Sequence, residues 1–167
     1  MTTANRPKIR IEWQSADWLV EGLAFSGLLL LFLLPAVYYA DLPDVIPQHF
    51  DGAGTADGFG PKSVMWWLPG IGLALYLGLT VLNRMPHIFN YPVNITPENA
   101  ERQYTLATRL LRALKAVVMI LFAYLAWGMI SVALNRTTGL HPVLLWGFIL
   151  GILAALVWYW RSAYQKK

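Results

Sequence analysis

The chain has 167 residues, of which 57% are hydrophobic and 13% charged, with a net charge of +4 and no cysteine. Soluble domains carry about 25% charged residues, and the apolar residues here run in blocks too long for a soluble core. A soluble globular domain is excluded on those grounds, and the absence of cysteine excludes disulfide and thiolate chemistry.

The chain opens with a basic tail carrying Arg6, Lys8 and Arg10. A first span follows, at about residues 20–40, with no charged residue from Gly22 to Ala40. A secretory signal would have an apolar core of roughly 7 to 15 residues and a small-residue cleavage site. This run is longer and is followed by Asp41-Leu42-Pro43-Asp44, so retention as a helix is expected. Glu21 at its edge is expected to be hydrated.

Residues 41–62 form a loop longer than the 12 to 15 residues beyond which structureless loops are usually functional or disordered. Val45, Ile46, Phe50 and Phe59 supply apolar anchors, so a folded cap is expected. Pro43 and Pro47 favour extended chain before them. Asp51-Gly52 and Asp57-Gly58 are turn signals, and Gly54 permits backbone angles closed to other residues. Folding back at those turns is expected to bring His49, Asp57 and Lys62 together.

The second span is expected at 63–83, and a segment at 84–105 follows. That segment begins irregularly, at Pro86 and Pro92, and His87 within it is assigned no chemistry. Thr96 is placed to cap a helix with Pro97 at its first position, Glu98 in its first turn and a Glu98–Arg102 pair at helical spacing. This helix is expected to run on into the third span, at about 106–135, as one helix of nearly forty residues. Arg102, Arg109, Arg112 and Lys115 then become basic flanks for anionic lipid headgroups or for a cytoplasmic partner. The fourth span is expected at 141–160. Small-residue spacing at Gly147 and Gly151, and at Gly70, Ala74 and Gly78, marks candidate close helix contacts.

The whole chain thus reads as one all-α integral membrane domain of four spans. Eleven of the thirteen Lys and Arg residues lie in the two tails and the middle segment, leaving only Lys62 and Arg136 for the other side. Because Lys and Arg accumulate on the cytoplasmic side, both termini are expected there, with the 41–62 loop extracytoplasmic. The basic balance therefore reflects topology and not nucleic-acid binding. No ionisable residue falls at a span centre, which disfavours an ion-coupled transporter.

Three chemistries compete for the loop. In one, its charges only satisfy turns. In another, His49, Asp51 and Asp57, joined by His141, bind a metal ion such as zinc, although no recognised histidine spacing supports it. In the third, the loop presents backbone and charge to an extracytoplasmic peptide or lipid.

The stretch "LPDVIPQHFDGAGTADGFGPK" resembles the signature of a bacterial domain of unknown function that also forms the first part of SdpI-like membrane proteins. The matching positions are Leu42, Pro43, Ile46, Pro47, His49, Phe50, Gly54, Asp57, Gly58 and Lys62. "PHIFNYPVNITPENAERQY" also looks like members of this family, and the resemblance covers most of residues 20–135. It implies a multi-pass protein of the bacterial inner membrane, with immunity and signalling against a secreted killing peptide as the activity of SdpI itself. The expected function is non-enzymatic: binding, immunity or sensing through the loop. The alternatives are a small membrane enzyme or metal site on that loop, or an accessory subunit that packs on a larger membrane protein.

Overall fold

The structure, a computed structural model, describes residues 6–165; Lys166 and Lys167, counted above in the basic tail, lie outside it. Within those residues the chain forms α1 (Ser15–Tyr38), β1 (Val45–Phe50), β2 (Ala56–Pro61), α2 (Trp67–Leu82), α3 (Ala100–Ala133) and α4 (Pro142–Tyr164). Short 3-10 turns at Lys62–Trp66 and Pro86–Ile88 precede α2 and follow it. Four helical segments are long and apolar enough to cross a membrane: Ser15–Tyr38, Lys62–Leu82, Ala100–Ala133 and Pro142–Tyr164.

Local chemistry explains the boundaries. α1 begins at Ser15, ahead of the expected start near residue 20, because the Asp17 carboxylate accepts the Gln14 backbone N–H at 2.8 Å and so closes the first turn. α3 is one continuous helix into its apolar part, as expected, but it starts at Ala100 rather than beside Thr96. The side chain of Asn99 accepts the Thr96 N–H and donates to the Asn94 carbonyl, each at 2.9 Å, which holds residues 94–99 in turns before the helix. The expected pairing of Glu98 with Arg102 does not form. Glu98 is held by the Thr96 side chain and by its own backbone N–H, which lower its pKa, while Arg102 reaches the far end of α4.

The loop at 41–62 is a β-hairpin, so the all-α expectation is corrected by a two-stranded antiparallel sheet. Its register pairs Val45 with Pro61 and Phe50 with Ala56, with irregularities on either side of His49.

The helices alternate in direction. One end of the bundle therefore carries the hairpin, and the other carries the N-terminal segment and the 83–99 connector. Beneath the hairpin a core forms from Leu31, Ile46, Met65, Met129 and Ile130. A smaller cluster of Ile95, Ala100 and Tyr104 sits at the opposite end. Gly27 lets α1 and α3 approach closely, since an added Cβ would lie 2.9 Å from the Met119 backbone, and at Gly72 such an atom would meet the Leu31 side chain at 2.5 Å. Within the chain the glycines of the expected small-residue spacing make no close helix contacts: nothing lies within 4 Å of such an atom at Gly70, Gly78, Gly147 or Gly151. Those glycines face outward, and in α4 only Ala163 is buried.

Candidate functional site

The hairpin places the predicted loop residues in three separate roles. His49 stands opposite Gly58, whose missing side chain leaves room for the imidazole: a Cβ there would sit 3.0 Å from that of His49. The register skips Asp57 between the pairs at His49 and Phe50. A bulge of this kind re-aims a side chain, and the Asp57 carboxylate meets His49 Nδ1 at 2.5 Å. The pair is open to solvent, with the side chains 70% and 46% exposed.

Asp51 has a different task. Its Oδ1 accepts the N–H groups of Ala53 and Thr55, each at 2.9 Å, and builds the turn. Lys62 lies at the base of the hairpin, donating to the Leu42 carbonyl at 3.2 Å, pairing with Asp44 at 3.5 Å and sitting over the Tyr39 ring. The expected trio of His49, Asp57 and Lys62 is thus a pair plus a separate clamp. The expected metal set does not converge either: among the described residues no three His, Asp or Glu side chains are placed to hold an ion. Pro43 is exposed in the approach to β1, while Pro47 is buried within the strand and Phe50 packs on the core.

The hairpin is docked, not free. Gly54, at φ +83°, accepts the Leu140 N–H at 2.8 Å, and Thr55 bridges to Gly139 in the α3–α4 turn. Trp146 Nε1 reaches the Gly52 carbonyl at 3.3 Å. Below the docked hairpin lies a cavity of about 440 Å³ between α2, α3 and α4. Trp67, Ile71, Leu125, Met129 and Leu145 give it apolar walls, and Gln48 and His49 give it a polar rim.

The opposite end holds a charge cluster. Asp17 is 4% exposed and accepts Arg112 Nη1 at 2.7 Å, with Arg109 Nε at 3.4 Å. One helical turn further, Lys115 Nζ meets Glu21 at 2.5 Å and Thr80 Oγ1 at 2.8 Å, and Tyr76 donates to the same carboxylate at 2.9 Å. Arg112 and Lys115 are 3% and 1% exposed. Both side chains point into the bundle, where each is paired with a carboxylate of α1. The partly buried, paired Glu21 corrects its expected hydration. Arg109 stays one-third exposed and also binds Gln14. Arg102 donates to the carbonyls of Ser162 and Gln165, so it ties down α4.

Asp17 was not among the residues singled out from sequence. A signal was present, since Asp17 and Glu21 lie four apart on α1 while Arg112 and Lys115 lie three apart on α3. Both spacings put side chains on one helix face, and α1 and α3 run parallel. Nearby, Arg6 donates to the Phe89 carbonyl at 2.5 Å and sits over the Tyr91 ring. Burial, followed by the neighbouring Tyr159, pushes the Tyr91 phenol above its ordinary pKa.

No solved structure matches the chain. Over 144 residues it is 26% identical to an uncharacterized protein of Archaeoglobus fulgidus, covering 80% of this chain and 79% of that one. The family model described as "Domain of unknown function (DUF1648)" matches residues 27–73, from the middle of α1 through the whole hairpin into α2.

Proposed function

We propose that this is a non-enzymatic binding protein of the bacterial inner membrane, with the hairpin on the extracytoplasmic side and both termini in the cytoplasm. It takes an amphipathic ligand, with an apolar chain in the cavity beneath the hairpin and a polar group at Gln48 and His49. The observation that carries this reading is the cavity itself. Its volume of about 440 Å³ falls in the range of small-molecule sites, which combine apolar walls with a few polar groups. The resemblance of the loop to SdpI-like proteins points the same way, toward an immunity or sensing role in which a secreted peptide supplies the ligand. An amphiphile bearing a diazirine on its chain tests the reading. Labelling mapped by mass spectrometry should fall on Trp67, Ile71, Leu125 and Leu145, and Leu125→Trp should abolish it. Labelling spread evenly over the outer faces of α2 and α4, and unchanged by that substitution, would rule the site out.

A further inference from the structure

The end of the bundle away from the hairpin contains a second cavity, of about 540 Å³, whose chemistry is the reverse of the first. It lies among the segment before α1, the start of α1, the end of α2 and the first half of α3. Arg10, Arg84, Arg112 and Lys115 line it, facing a single carboxylate, Glu21. Glu21 is already engaged by Lys115 and Tyr76. Counting Asp17 behind Arg112 as well, two of the four cations remain uncompensated. Among the described residues neither Arg10 nor Arg84 forms an ion pair.

Two further atoms are unsatisfied. Arg112 Nε is buried without an acceptor and Asn83 Oδ1 without a donor, and both residues line the cavity. A buried polar group left unpaired costs free energy, and cations held beside low-dielectric walls draw an anion strongly. Guanidinium groups match the oxygens of phosphate in geometry as well as charge. Apart from Thr80, the remaining lining is apolar and aromatic, including Ile9, Trp13 and Trp18, and tryptophans sit at headgroup level in membrane proteins.

We infer that this cavity binds a phosphate-bearing anion, as the headgroup of an anionic phospholipid or as free phosphate. Arg10 and Arg84 supply the uncompensated charge and open donors, Arg112 its unpartnered Nε–H, and Asn83 an acceptor for a hydroxyl on the ligand. The inference is independent of the hairpin cavity and of which side of the membrane each end faces. Basic pockets between membrane helices are recognised places for anionic headgroups, and here the unpaired Arg10 and Arg84 stand at a cavity whose inner wall is fixed by the ion pairs of Arg112 and Lys115.

The test uses the full chain in detergent and in nanodiscs. Native mass spectrometry compares retention of phosphatidylglycerol with that of phosphatidylcholine, and a second arm follows thermal stability in inorganic phosphate against chloride at equal ionic strength. The variants are Arg10→Gln and Arg84→Gln, with Lys8→Gln as the control cation outside the cavity. Preferential retention of phosphatidylglycerol, weakened about fivefold by each cavity variant and unchanged by Lys8→Gln, is the expected result. A headgroup site gives that result without stabilisation by phosphate. A free-phosphate site gives stabilisation by phosphate that both cavity variants remove. Equal retention of the two lipids with no effect of phosphate would overturn the inference. So would an effect of Lys8→Gln as large as that of Arg84→Gln, since the binding would then be general surface attraction.

Discussion

Asp17 and Asp57 are both aspartates paired with a basic side chain, yet their surroundings give them different weight. The Asp17–Arg112 pair is almost fully buried, so removing one partner leaves a charge stranded in the bundle, at a cost of about 3–5 kcal/mol. Asp17→Ala is therefore expected to lower the melting temperature in detergent sharply, and the double change Asp17→Leu with Arg112→Met should recover most of the loss. The Asp57–His49 pair is open to water, where such pairs contribute about 1 kcal/mol or less. Asp57→Ala should leave the melting temperature nearly unchanged in the same assay. A large loss there, or no loss at Asp17, would reverse this ranking. Tyr91 makes a prediction of different sign with pH. Its phenol is held above the ordinary value of about 10, so its contribution to stability is complete below that pH and falls away as the pH rises beyond it. Ultraviolet titration of the wild type against Tyr91→Phe should find one tyrosine that remains un-ionised in the fold after exposed tyrosines have titrated.

At the level of elements, the closest approach of the hairpin tip to the α3–α4 turn is the backbone contact between Gly54 and Leu140. Gly54 can adopt φ +83° without strain, and a Cβ there would fall 2.0 Å from the Leu140 carbonyl oxygen. Gly54→Ala should therefore undock the hairpin without unfolding the helices. Hydrogen exchange of the Leu140 amide, which donates to the Gly54 carbonyl, should then accelerate markedly, while exchange in the middle of α3 stays slow. An unchanged Leu140 amide would show that the hairpin is held elsewhere. The glycines and aspartates of this loop were readable as turn formers, but which of them made the turn was not. Asp51 closes it through its carboxylate, whereas Asp57-Gly58 lies inside β2 as an irregularity. Both pairs carry the same local preference, and strand register chose between them. The GxxxG-like spacings show a similar limit: periodicity says which glycines share a face, not whether another helix lies opposite.

For the molecule as a whole, the orientation proposed from the split of basic residues can be tested directly. In intact cells, Ser63→Cys at the hairpin end should react with a membrane-impermeant maleimide, and Ser162→Cys at the other end should react only after permeabilisation. Equal labelling of both would sink the assignment. The number and approximate limits of the four helical segments were legible in the sequence alone, because a block of apolar residues about 20 long has few other fates. The continuity of α3 was legible for a related reason: nothing between Ala100 and Ala133 breaks a helix. The tertiary structure alone decided where the charges go. Basic residues beside a span ordinarily face headgroups, and only the parallel alignment of α1 with α3 sets Arg112 against Asp17 and Lys115 against Glu21. Pairing across helices depends on their relative rotation and depth, which hydrophobic packing of the whole bundle determines and no local stretch encodes. The same reason separates Lys62 from His49 and Asp57, and creates the two cavities, apolar at one end and cationic at the other.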